Sequence, residues 1–539
     1  METRRLGGVG RRGIVARERK QPVRRILWQL VLFIPKPVRR ALWEGLLELP
    51  GPLRRFLWAG IVKKDRLVLD FSVPDTEVSA TPPDERRRRY PLPQMFDVII
   101  LADPDSASAD GWSLDVGRDI ASTGHRVFYV GDLDDAARRR SVDVVEDGIY
   151  VIRGSRDGGA TSEPGSDAIT TGEETSWSWL RYECHTVDAV CVATSEAAVV
   201  SANLLRRRFG WKVVEDRRKS AELSSGADTA VRQQTADLVI VDDDVPRGGP
   251  AGSDSCQRVL SPSARADNGS AHHLIAAMAE LYPKVSIILL MYNGLEYNRL
   301  CLDSLFGKTA YPNFEVIVVD NNSTDGTREL LQATCQRHPN LKVILNDKNE
   351  GYTRGNNQGA AASTGDVLIF LNNDTILTRS WLSRLVFYLG DRQVGLVGPT
   401  SSWPGNESGI DTDYHTLTEL HAFADRYTRE HEGLTYNAGR MVFFCAATRR
   451  DVFEEIGPLD ERFSKGVSFE DDDYTMRVRQ KGYRIIYAED AFVHHWGVGT
   501  NSRRDMKAHW RLIEINRRQF EEKWGITWDP NRGVEARRR

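Results

Sequence analysis

Apolar runs that end in polar tips recur through the second half of the chain. Val285–Met291 leads into Tyr292-Asn293, Phe314–Val319 into Asp320-Asn321-Asn322, Leu341–Leu345 into Asn346-Asp347, and Val367–Leu371 into Asn372-Asn373-Asp374-Thr375. Largely apolar runs of this length predict buried strands of an α/β sheet, with helices in the stretches between them. Asp325 and Thr327 read as caps of a helix through Leu331, because short oxygen-bearing side chains satisfy free N–H groups at a helix start. Downstream, Phe469-Glu470-Asp471-Asp472-Asp473 opens a helical stretch, Tyr474–Lys481, that Gly482 closes. The strand Arg484–Tyr487 then leads to Asp490–Gly497, which carries His494 and His495.

A second alternation starts at Phe96. Strands are predicted at Phe96–Leu101, Val127–Val130, Ala189–Val192, Trp211–Val214 and Ala236–Val241, with helices around Trp112–Thr123 and Leu204–Phe209. Strand and helix in turn predict a parallel, doubly wound sheet. Gly154–Thr175, rich in Gly, Ser and acids, reads as a flexible insertion. Asp242-Asp243-Asp244 reads as a solvated strand end rather than a metal cluster.

At 539 residues the chain is too long for one core. The boundaries expected are a basic helical segment over 1–66, a linker over 67–95, a Rossmann-like α/β domain over 96–245, a linker over 246–280, and a catalytic α/β domain over 281–530. Net charge is −3, yet residues 1–66 hold 17 basic against 5 acidic side chains. An acidic body with a basic head does not suggest a nucleic-acid binder; it suggests a head that seeks an anionic surface. That head repeats Pro22-Val23-Arg24-Arg25-Ile26-Leu27-Trp28 at Pro37–Trp43 and at Pro52–Trp58. Each unit predicts a short helix with proline at its first position. Paired arginines beside Leu and Trp suit a membrane interface, although packing on the chain's own body or on a partner would use the same residues. Six cysteines without a CxxC pair point to reduced thiols. No apolar run is long enough to span a bilayer, and the expected location is cytoplasmic, peripheral at the inner face of the cytoplasmic membrane.

The chemistry gathers at strand ends. In an open α/β sheet ligands bind beyond the carboxyl ends of the strands, so the polar tips point at one crevice. A carboxylate such as Asp320 can accept hydrogen bonds from a uracil or thymine N–H and a ribose hydroxyl. The loop Asn349-Glu350-Gly351-Tyr352-Thr353-Arg354-Gly355-Asn356-Asn357-Gln358-Gly359 offers three glycines whose backbone could approach a phosphate, with Arg354 adding charge. Asp374 can ligate a hard divalent cation. Attack by an acceptor hydroxyl needs a carboxylate to take its proton, and the run Glu470–Asp473 supplies candidates. His494 and His495 offer an imidazole as a further ligand, with one of the pair structural.

With these blocks in this order, residues 285–500 resemble a family 2 glycosyltransferase of GT-A fold. The resemblance implies that Tyr292, Asn293, Asp320, Asn322, Gly351, Arg354, Asn357 and Asn373 bind the donor. It implies that Asp374, His495 and Asn372 hold Mg²⁺ or Mn²⁺, and that Asp471, beside Glu470, is the base, although Asp472 and Asp473 compete for that role. Asn372 stands where the family usually has an acid, a form that resembles the rhamnosyltransferase-like branch and implies a deoxythymidine or uridine diphosphate sugar. The acceptor implied is a surface glycan or a lipid-linked species. Residues 96–245 resemble one half of a two-domain GT-B enzyme and read as a non-catalytic or acceptor-side module. Two rivals stand beside this reading. A nucleotidyltransferase would want a Gly-rich basic loop where Met291–Glu296 lies; a non-catalytic sugar-nucleotide-binding scaffold is favoured only by Asn372.

Overall fold

The computed structural model describes residues 96–101, 114–123, 125–130, 139–146, 149–155, 188–193, 202, 205–216, 238–240, 258–260, 270–402, 408–463, 468–497 and 506–529. The tripled repeat, the stretch 67–95, Asp242–Asp244 and Trp403–Asn406 lie outside these residues. Among the described residues no helix is long and apolar enough to cross a membrane.

Two sheets organise the described residues. The first contains β1 (Asp97–Leu101), β2 (Val127–Val130), β3 (Arg139–Glu146), β4 (Ile149–Ser155), β5 (Ala189–Ala193), β6 (Lys212–Asp216), β7 (Leu238–Ile240) and β8 (Arg258–Leu260). Their order is β3-β4-β2-β1-β5-β6-β7-β8. Every pairing is parallel except β3 with β4, an antiparallel edge pair. Sequence reading misses that pair because its residues mix charged and apolar side chains. It also places a linker over 246–280, where the chain forms β8 and the helix α2 described below.

The second sheet contains β9 (Val285–Met291), β10 (Phe314–Asp320), β11 (Leu341–Leu345), β12 (Val367–Asn372), β13 (Thr375–Leu377), β14 (Val394–Thr400), β15 (Thr435–Asn437), β16 (Cys445–Arg449) and β17 (Arg484–His495). The order is β11-β10-β9-β12-β16-β14-β17-β13, with β15 paired to β17. Strands β11, β10, β9 and β12 run parallel. The chain moves outward from β9 to β11, then returns to the far side of β9 as β12. That reversal makes the carboxyl end of β9 a switch point, where an α/β sheet opens a crevice.

The helices used below are α1 (Leu114–Ser122), α2 (Ser270–Ala279), α3 (Leu295–Lys308), α4 (Thr327–Arg337), α5 (Tyr352–Ala362), α6 (Trp381–Leu389), α7 (Leu417–Glu430), α8 (Arg450–Ile456), α9 (Glu470–Gln480) and α10 (Met506–Trp524). Alternate residues of the central strands feed opposite faces: Ile287, Leu289 and Val318 join one core, Ile288, Leu368 and Phe370 the other. The first core continues into the first sheet through Phe96, Val98 and Val190. Tyr282, just before β9, ties the halves together. Its hydroxyl donates to Ala189 O at 2.9 Å, and its ring stacks on Phe96 at 6.0 Å. Ser383 adds a hydrogen bond to Asp188, and Lys212 lies over the Tyr282 ring. The joint thus gathers around the amino end of β9, away from the crevice.

Two of the three loop glycines serve packing rather than phosphate approach, which corrects the expectation for that loop. A Cβ on Gly359 would meet Ile288 Cγ2 at 2.5 Å, and one on Gly355 would strike Leu290. Their bare face lets α5 lie directly on β9. Only Gly351, at φ 88°, needs the left-handed backbone.

Candidate active site

Strand register sets the polar tips side by side. Asp320 pairs with Met291 across β10 and β9, and Asn372 with Leu290 across β12 and β9. The loop tips are cross-linked. Asn293, at φ 54°, takes a hydrogen bond from Thr324 N on its Oδ1 and gives its own N–H to Ser323 Oγ. Asn321 donates to Gly351 O at 3.1 Å, and its Oδ1 accepts from Asn346. Asn322, at φ 68°, completes the turn, with Tyr292 half-buried at the end of β9. Asp325 caps two helices at once, accepting from Leu295 N and from Thr327.

Asp320 is fully buried. Its carboxylate accepts from Arg328 Nε at 2.8 Å and from Ser323 N. Arg328 has no place in the sequence reading, although a cation in the first turn of the helix after the Asp320 tip was a usable signal. Asn357 and Asn373, expected at the donor, are engaged elsewhere. Asn357 holds Leu459 from both ends of its amide, donating to the carbonyl and accepting from the N–H, and Asn373 donates to Asn298 at 2.6 Å. Arg354 is exposed and pairs with Glu350 at 3.4 Å.

At the other side of the crevice β13 and β17 run antiparallel with Thr375 opposite His495. Asp374 Oδ1 and His495 Nε2 come within 3.1 Å, and the Asn372 amide lies 3.4 Å from the same ring nitrogen. Phe444 stacks on the His495 ring at 4.9 Å, fixing its plane. His494 is the structural member of the pair: its Nδ1 meets Tyr414 Oη at 2.6 Å and Ser402 Oγ at 2.9 Å. Burial, then the charge of His495, lowers it to about 3. Among the described residues no three His, Cys, Asp or Glu side chains converge as a metal cage. A carboxylate, an imidazole and an amide directed at one space fit a divalent ion that takes its remaining ligands from a diphosphate.

The acidic run occupies the first turn of α9, where the helix dipole favours negative charge. Asp473 is buried among Arg477, Lys523 and Trp524; Asp472 meets Arg440 and Trp528. Burial, then the charge of Asp471, pushes Asp472 up to about 7, and the same two causes push Glu470 well above the carboxylate range. Burial also raises Asp471, opposed by Arg440. Tyr352 lies between the two walls. Its hydroxyl donates to Phe443 O and reaches Asn372 Oδ1 at 3.1 Å. Burial, then the charges of Glu470, Asp471 and Asp374, hold its phenol well above the usual value.

Residues 286–457 match the family described as Glycosyl transferase family 2. Glycosyltransferase AglE of Haloferax volcanii is 29% identical over 221 residues, covering 40% of this chain and 68% of that protein. The O-antigen biosynthesis protein RfbC of Myxococcus xanthus is 33% identical over 227 residues, covering 40% of this chain but 17% of its own length. Among solved structures, a mannosyltransferase from Pyrobaculum calidifontis in complex with GDP-Man and Mn²⁺ aligns at a TM-score of 0.34 and 22% identity, covering 46% of this chain and 67% of that one. These sequence matches make the half of the chain built on the second sheet a glycosyltransferase. Residues 286–457 form its family 2 domain. The family match ends before Glu470–Asp473 and His495; of these, His495 meets Asp374 just beyond the carboxyl end of β12.

Proposed function

We propose that the chain is an inverting, metal-dependent glycosyltransferase of GT-A type. It would move a sugar from a uridine or deoxythymidine diphosphate donor to a hydroxyl of a glycan or lipid-linked acceptor. The observation that carries this reading is the division of labour on α9: Asp472 and Asp473 are bound by cations and indoles, which leaves Glu470 and Asp471, whose charges act on the Tyr352 phenol, and of these two Asp471 is taken as the base.

Asp471 takes the proton of the acceptor hydroxyl as its oxygen forms the new bond to the anomeric carbon. The bond from that carbon to the diphosphate oxygen breaks, and its electron pair leaves with the nucleoside diphosphate. Glu470, kept protonated by burial beside Asp471, can donate a hydrogen bond to a sugar hydroxyl. Asp320 fixes Arg328 and the turn at Ser323 beneath the base. Mg²⁺ or Mn²⁺, held by Asp374, His495 and the Asn372 amide, would supply positive charge against the leaving diphosphate. The domain of the first sheet, joined near the amino end of β9, serves as a non-catalytic module. The basic repeats of residues 22–58 supply attachment to an anionic membrane face, where a lipid-linked acceptor lies.

The test is nucleoside diphosphate release from a panel of nucleotide sugars, with and without Mn²⁺. Asp471→Asn is expected to lower turnover by about 10²–10⁴-fold, while nucleoside diphosphate still raises the melting temperature. Undiminished release by this variant, or no metal-dependent release from any donor, overturns the reading.

A further inference from the structure

Four consecutive acids in one helical turn project about 100° apart, so they cannot all face the crevice. Each needs its own surroundings, and the C-terminal segment supplies them for two. Asp473 accepts from Arg477 Nε at 3.0 Å, Trp524 Nε1 at 3.0 Å and Lys523 Nζ at 2.6 Å. Asp472 accepts from Trp528 Nε1 at 3.1 Å and Arg440 Nη1 at 3.3 Å. The Arg440 guanidinium in turn lies 5.9 Å from the centre of the Trp528 ring, within cation–π range.

The same tail clamps the entry to α9. Ser468 and Phe469 both stand in the left-handed region, at φ 64° and 81°, an arrangement that persists only where the surroundings over-determine it. The Trp528 ring packs edge-on against Phe469 at 5.2 Å, and Phe463 and Phe520 close the same cluster. Asn516 of α10 donates to Ser468 O at 3.2 Å. Trp528 is itself fixed, because its N–H donates to Glu521 Oε1 at 2.9 Å and Ile526 N to Glu521 O.

We propose that Trp528 is a positioning residue for sugar transfer: with Arg440 it holds Asp472 aside, so that Asp471 is presented to the acceptor as the base. The inference rests on the assignment of Asp471 above. The charged and titratable groups around Asp471 are Glu470 and Asp472 on its own helix, Arg440 from the segment before β16, and the Tyr352 phenol on α5. Arg440 is therefore shared between Asp471 and Asp472. The Trp528 indole supports Asp472 and leaves part of that cationic field for Asp471.

Trp528→Phe keeps the ring against Phe469 and removes only the N–H. Arg440 is then drawn to Asp472, and the acid limb of the kcat/KM profile moves up by about one pH unit, with KM for the donor unchanged. Asp472→Asn frees Arg440 for Asp471, so its limb moves down. This opposite displacement also decides the matter if Trp528→Phe does not fold. An acid limb in the wild-type position in either folded variant overturns the positioning role. Full turnover in Asp471→Asn instead removes the base assignment itself, so the two failures are told apart.

Discussion

His495 Nε2 sits 3.1 Å from Asp374 Oδ1, although 121 residues separate the pair in the chain. Antiparallel pairing of β13 with β17 makes the contact, and Phe444 holds the imidazole flat against it. His495→Ala is expected to raise the Mn²⁺ concentration for half-maximal activity by at least the roughly 10–100-fold that loss of an outer-shell partner costs. Metal titration of turnover reads this directly. An unchanged titration would remove His495 from the site.

Arg384 and Asp490 form a buried ion pair between α6 and β17, the strand that delivers His495. Asp490 Oδ2 also accepts from Tyr388 Oη at 3.0 Å and Gly433 N at 2.8 Å. Arg384→Met leaves that carboxylate buried without its cation and is expected to cost about 3–5 kcal/mol of stability. Denaturant unfolding measures the loss, and a change below about 1 kcal/mol would show the pair to be dispensable.

The lowered value of His494, about 3 against 6.5 in an unfolded chain, gives a signed pH effect. Between these values the unfolded chain binds a proton that the folded one does not, so this contribution to stability is lost as pH falls through the window. His421, also lowered to about 3 by burial and then the charges of Lys308 and Arg379, acts in the same direction. Asp472, raised to about 7, acts in the other: its contribution is present at low pH and lost as pH rises from 3.8 towards 7. Comparison with His494→Gln isolates the first term. Below pH 6.5 the wild type should lose stability relative to the variant by up to about 1.4 kcal/mol per pH unit. Parallel stability curves for the two proteins would contradict the assignment.

Strands β9, β10, β11 and β12 were legible because each is a largely apolar run, and the tips at Asp320 and Asp374 because polar residues end those runs abruptly; β13, β14, β15 and β16 were not expected, and the Thr-Tyr-Asn of β15 and Cys-Ala-Ala-Thr-Arg of β16 show why. Residues whose partners lie far away in sequence carry no such mark. Nothing near Asn373 announces Asn298, and nothing near Asp472 announces Arg440 or Trp528. Gly355 and Gly359 misled for a related reason: a glycine needed for helix-on-strand contact reads the same as one needed for a phosphate. The choice among Asp471, Asp472 and Asp473 likewise required knowing which neighbours each acid meets.

The joint around Tyr282 and the crevice beyond Met291 occupy opposite poles of β9. Evolution, or a protein engineer, can therefore recut the loops that follow β9, β10 and β11 to accept a new sugar while leaving the seam with the neighbouring domain intact. Altering the seam is the harder exercise, since Phe96, Tyr282 and Val285 belong to one continuous core, and a change at either partner is felt in both.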